Sequence, residues 1–177
     1  SLRTALHASF LKDFQQRFQA AADEQARALE FIIELNNLTA SEKVLEMFAV
    51  ELFRRIPFEC IGFFLLEEDG LSNKMIACSD AQFDPIKNEW AAYVADKQYE
   101  LHNMDGGISH AFLKNSSLMF QDVQQVLHMP MSEKDTQTMR ILKTPRTLLI
   151  LPIRYQKQAI GCIAFFSLTK IVEVSKT

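Results

Sequence analysis

The chain has 177 residues, 48% of them hydrophobic, enough for one well-filled core and an appendage but not for several domains. Its net charge of −3, without a basic run, excludes the electrostatic footprint of a nucleic-acid-binding domain. No apolar stretch approaches the ~18 uninterrupted residues of a membrane span, and no signal peptide is visible. Fourteen Phe against one Trp and three Tyr predict an aromatic core with few polar handles. Cys60, Cys78 and Cys162 are odd in number and lie in apolar runs, so they read as reduced structural thiols in a cytoplasmic protein. Their flanks supply no Lys, Arg or His to stabilise a thiolate.

Residues 2–36 contain no Gly or Pro and are rich in helix formers. Leu11, Phe14, Phe18, Ala21, Gln25, Ala28, Ile32 and Leu35 recur at alternating steps of three and four, a heptad seam with one polar intruder. A helix of that length would span roughly 50 Å, so its seam needs a partner outside its own domain. Residues 1–28 are therefore expected to be a dimerisation helix, 29–170 a domain, and 171–177 the start of a linker to an output domain. The start at Ser1 fits a piece excised from something larger.

Thr39 and Glu42 form a capping box for a second helix, with Val44, Leu45, Phe48, Leu52 and Ile56 on one face and Pro57 closing it. Residues 60–66 read as a strand, Asp69-Gly70 as a turn and 74–79 as the antiparallel partner. A short helix over 90–95 and a strand over 98–102 follow. After the break at Asp105-Gly106-Gly107 comes a helix over 108–114 that Asn115 can end, then a strand over 117–123. Residues 127–143 read as a polar, Met-rich loop with one helical turn. The runs 147–155 and 159–168, separated by Gln156-Lys157-Gln158, read as a central hairpin buried on both faces. Pro152 predicts a bulge there, and Gly161 a close approach by a neighbour or a ligand.

The four histidines lack zinc-site spacings, and no phosphate-binding loop, nucleophile elbow or Cys–His pair is present. The fragment is expected to be regulatory and not an enzyme, without a metal. One local feature suits an anion: Gly106-Gly107-Ile108-Ser109 opens a helix whose free N–H groups can cradle it. Arg146, beside Thr147 at a strand mouth, could pair with the same anion.

Three stretches, in this order, resemble a GAF domain, the sensory module of many signalling proteins. They are Cys60-Ile-Gly-Phe-Phe-Leu-Leu-Glu67, Gly107-Ile108-Ser109-His110-Ala111-Phe112 with Phe120-Gln121-Asp122-Val123, and Leu149–Tyr155 through Ile160-Gly161. Lys157-Gln158 stands where that family commonly has Gly. The resemblance implies an α+β fold, a GAF- or PAS-like antiparallel sheet flanked by helices. It also implies a small-molecule site between the sheet and residues 80–115 and 124–146. In its cyclic-nucleotide-binding members Phe83-Asp84 would be the aromatic–acid pair and Gly62 a small pocket position. The expected site is thus Gly62, Phe83, Asp84, Gly107, Ile108, Ser109, Arg146 and Thr147. The expected effector is cAMP or cGMP, acting on a homodimer joined by the N-terminal helix and fused to a nucleotide cyclase, a cyclic-di-GMP cyclase or a histidine kinase. The alternative is a ligand-free dimerisation module whose pocket is filled by Phe and Met side chains.

Overall fold

A computed structural model describes residues 42–155 and 157–172, together with positions 16, 19, 20, 22 and 23. The heptad seam from Leu11 to Leu35, the Thr39 cap and residues 173–177 lie outside the described residues. In chain order the elements are α1 (Glu42–Arg55), β1 (Cys60–Glu67), β2 (Gly70–Cys78), α2 (Asp84–Val94), β3 (Gln98–Glu100), α3 (Gly107–Lys114), β4 (Leu118–Phe120), α4 (Glu133–Ile141), β5 (Thr147–Tyr155) and β6 (Gln158–Ser167). The strands form one six-stranded antiparallel sheet in the order β3-β2-β1-β6-β5-β4.

Because the side-chain period of a strand is two, each central strand can feed two cores. Leu149, Leu151 and Ile153 of β5, with Ile163 and Phe165 of β6, pack on one face against Leu45, Ala49 and Leu52 of α1. Leu148 and Ile150, with Cys162, Ala164 and Phe166, pack on the other against residues of α2 and α3. Both faces are buried, which is why these runs show no polar alternation. Gly161 pairs with Leu65 across the β1–β6 ladder, and a Cβ there would strike the Phe64 carbonyl oxygen, so its neighbour is backbone. The irregularity expected at Pro152 falls one step on, between Ile153 and Arg154; Pro152 itself stays opposite Cys162.

Three expectations shift. The first hairpin turns at Glu68-Asp69, with Glu68 at φ 47°, and Gly70 already belongs to β2. Gly70 is needed for close approach, since a Cβ would lie 2.6 Å from Gln98 Cγ and 2.8 Å from the Tyr99 carbonyl oxygen of β3. The α2 helix starts at Asp84, six residues before the expected start, because Pro85 stands in its first turn, where a missing N–H costs nothing. Residues 133–141, expected to be mostly loop, form a full helix whose Ser132 side chain accepts from the Asp135 N–H at 3.1 Å.

Candidate functional site

A cavity of about 410 Å³ lies between the α2–α3–α4 side of the sheet and the segments that join those helices. That is within the size range of small-molecule sites, which are mostly apolar with a few placed polar groups. Its floor is Leu118 and Phe120 of β4, Leu148 and Ile150 of β5 and Phe166 of β6. Trp90 and Tyr99 form an aromatic wall; the Trp90 ring meets Phe166 edge-on with centroids 5.2 Å apart. Met104, Met129, Met131 and Met139 supply unbranched, adaptable side chains around the rest of it. Met104 is 82% exposed.

The polar groups converge where α3 meets α4. Asp135 Oδ2 accepts the Gly107 N–H at 2.9 Å, so the helix N-terminus expected to hold an anion already holds a carboxylate of the chain itself. The two glycines make that contact possible. Gly106 has φ 141°, a region L side chains avoid, and a Cβ on it would lie 2.7 Å from Asp135 Oδ1. Burial pushes the Asp135 carboxyl up to about 6, against the Gly107 hydrogen bond and with the charge of Asp105 adding to the rise. Asp105 itself is paired with Lys134 Nζ, at 2.8 and 2.7 Å from its two oxygens. Burial drives the Tyr99 phenol well above its ordinary value, while Thr138, another lining residue, opposes the rise. The Trp90 indole N–H is buried without a partner among the described residues. A buried orphan donor costs about 1–3 kcal/mol, which a ligand acceptor would recover.

Of the eight expected site residues, the structure brings Gly107 and Ile108 to this cavity. Of Phe83, Ile108, Ser109 and Arg146, expected to line one pocket together, Ile108 lines this cavity and the other three do not. Gly62 lies behind the wall: a Cβ on it would be 2.8 Å from Trp90 Cη2. Phe83 is buried in the short 3-10 helix before α2, and Asp84 pairs with Lys87 at 3.3 Å. Ser109 is fully buried off the cavity, its hydroxyl without a partner among the described residues. Thr147 is consumed by the fold, donating to the Gln121 carbonyl at 2.6 Å and accepting from the Val172 N–H at 3.0 Å. Arg146 lines a different hollow, with Pro57, Lys170, Ile171 and Val172. It shares the strand parity of Leu148 and Ile150 but precedes the first residue of β5, where the chain passes the 170–172 segment.

Sequence reasoning missed Asp135, Trp90, Tyr99 and Thr138. The Ser132-x-x-Asp135 spacing is a helix-start signature and could have disclosed α4. Nothing in the sequence pairs Asp135 with Gly107, 28 positions earlier.

No protein-family model matches this chain, and no curated protein does. Solved structures match its fold. A methyl-accepting chemotaxis protein fragment, residues 122 to 287, is 20% identical with a TM-score of 0.54, over 76% of this chain and 77% of that one. The GAF domain/HD domain protein from Geobacter sulfurreducens is 14% identical with a TM-score of 0.54, over 76% and 78%. The A. aeolicus nlh2 GAF domain in an inactive state is 16% identical with a TM-score of 0.53, over 83% and 79%. At these identities the likeness is one of fold.

Proposed function

This chain has the fold of a GAF domain, and on that premise we propose that it is a ligand-sensing regulatory domain of a signalling protein. Its ligand is a small, largely apolar molecule carrying a hydrogen-bond-donating or cationic group. The observation that carries this reading is Asp135, a half-buried carboxyl whose ionisation burial opposes, on the wall of a mostly apolar, aromatic and Met-lined cavity. A carboxylate that burial makes reluctant to ionise gains most from a donor or cation placed beside it. The orphan Trp90 N–H offers the complementary contact to a ligand acceptor.

A cyclic nucleotide, cAMP or cGMP, fits the cavity's aromatic wall but suits its polar end less well. Its phosphate would meet Asp135 at the N-terminus of α3, while Arg146 lines the other hollow. The effector's message leaves through a homodimer of N-terminal helices to a fused output domain; both belong to this proposal.

A thermal-shift screen tests the reading. Neutral and cationic aromatic compounds, including nucleosides and arylalkylamines, should raise the melting temperature, and cAMP and cGMP should raise it less. A ligand at about 100 times its dissociation constant adds roughly 2.7 kcal/mol, easily seen as a shift. Asp135→Asn should weaken a cationic ligand by about 1.5–3 kcal/mol. If cAMP or cGMP gives the largest shift and Asp135→Asn strengthens it, the nucleotide reading replaces this one. If no compound binds, the ligand-free module does.

A further inference from the structure

Cys60 and Cys78 face each other across the first hairpin, at the end of its ladder. The Ser79 N–H donates to the Glu59 carbonyl at 2.9 Å, a bond of the kind that flanks a non-hydrogen-bonded pair, which is what Cys60 and Cys78 are. Pairs of that kind have their Cα atoms only about 4.5 Å apart, with side chains close on the same face. That spacing is inside the range a disulfide spans. The two sulfur atoms are already 3.2 Å apart. Bringing them to the ~2.05 Å of an S–S bond requires side-chain rotation, not strand movement. Accessibility is graded in a useful way: Cys60 is buried and Cys78 half-buried, so a reagent reaches Cys78 first.

We propose that Cys60 and Cys78 are a hydroperoxide-oxidised thiol pair, a modification site separate from the cavity that closes reversibly into a disulfide linking β1 to β2. The Cys78 thiolate attacks the outer oxygen of the hydroperoxide, the O–O bond breaks, and the departing alkoxide or hydroxide takes a proton to leave as alcohol or water. Cys78 is then a sulfenic acid. The Cys60 sulfur attacks Cys78 Sγ, the S–O bond breaks, and the hydroxyl leaves as water with the Cys60 proton. Two thiols and one hydroperoxide thus give one disulfide, one alcohol (or water) and one water.

The surroundings divide the roles the same way. The hydrogen bond shared with Cys60 lowers the Cys78 thiol below its ordinary value, and the Lys87 ammonium in the first turns of α2 adds to this, against burial and the charges of Asp84 and Glu59. Cys60 is pushed up by that same hydrogen bond, by burial and by the Cys78 charge. The sequence flanks of Cys78 hold no cation, and the one that acts on it, Lys87, is nine positions away in sequence. Cys162 is buried among apolar neighbours, and burial alone raises its thiol, so it is an internal control.

Equimolar hydrogen peroxide at neutral pH, followed by thiol titration in denaturant, should reduce the three thiols to one. Non-reducing peptide mapping should join the Cys60 and Cys78 peptides within one chain, and dithiothreitol should restore all the thiols. In Cys60→Ser, a cyclic dione should trap a sulfenic acid on Cys78 that the parent protein does not accumulate. If Cys60→Ser fails to fold, Cys78→Ser replaces it, and both of its remaining thiols should survive peroxide. Three thiols surviving in the parent protein would overturn the proposal, as would a stable sulfenic acid on its Cys78 or a bond between two chains.

Discussion

Asp135 carries a titration that the rest of the chain makes unfavourable. Its folded value of about 6 lies above the ordinary 3.8, so between those values the folded state holds more proton than the unfolded one. Stability contributed by that proton is full below about pH 4 and is lost as pH rises through 6. Asp135→Asn keeps an acceptor for the Gly107 N–H while removing the charge. It should raise unfolding free energy at pH 8 by up to about 2–3 kcal/mol and flatten its slope between pH 4 and 6, read by denaturant titration at several pH values. An unchanged slope would mean that Asp135 is solvated. At Gly62 the limit is steric, because a Cβ would meet the rigid Trp90 and Phe64 rings at 2.8 and 2.9 Å. Gly62→Ala should cost about 1–3 kcal/mol by overpacking, and the displaced indole should change the tryptophan fluorescence of the folded protein. The resemblance marked Gly62 as a small pocket position, and the Gly-Gly run marked Gly107 as an anion cradle. Neither reading disclosed the partners, an indole 28 positions later and a carboxylate equally distant.

Between elements, the clasp at Asn115 shows why some ends were legible and others were not. Asn115 was readable as the terminator of α3 because Asn tolerates the left-handed region, and it sits there at φ 49° and ψ 41°. Its second task was invisible. The side-chain carbonyl accepts from Arg154 Nε at 2.6 Å, its amide donates to the Lys157 carbonyl at 3.0 Å, and its backbone carbonyl accepts from Arg154 Nη2 at 2.7 Å. The helix end is thereby tied to the β5–β6 turn, where Lys157 takes φ 69° without being glycine. Asn115→Ala should cost about 2–3 kcal/mol, two side-chain bonds plus backbone strain, whereas Asn115→Gly should cost less by removing the strain. Equal losses in chemical denaturation would show that the backbone conformation contributes nothing. The α4 helix escaped the sequence reading because it is mostly polar; Thr138 and Ile141 are its buried residues. A helix held by two buried side chains, a cap and an ion pair leaves little periodic apolar signal. The central hairpin, apolar on both faces, was plain.

In the whole molecule the sheet is a shared wall. Leu148, Ile150 and Phe166 line the cavity on one side, while Leu149, Leu151 and Phe165 pack on the other with α1 and with Ala22. Ala22 is 2% exposed, Asp23 Oδ1 lies 3.7 Å from an Arg154 guanidinium nitrogen, and Gln19 accepts from the Ser117 hydroxyl at 3.3 Å. Those positions fall inside residues 1–28, expected to be a dimerisation helix, and they touch the domain itself. A ligand that shifts Phe166 or Ile150 therefore acts on strands whose alternate residues face the N-terminal segment. Cores repack between discrete arrangements instead of deforming smoothly, so such a wall can transmit a change. Removing residues 1–28 should consequently do two things. It should lower the unfolding free energy by about 1–3 kcal/mol, from exposing the core around Ala22 and removing the Asp23–Arg154 ion pair. It should also convert the proposed dimer to a monomer, measured by light scattering at a temperature where circular dichroism shows the truncated chain folded. A truncated chain that stays folded and stays a tight dimer would place the interface elsewhere, with the exposed Met47 and Val50 of α1 the next surface to mutate.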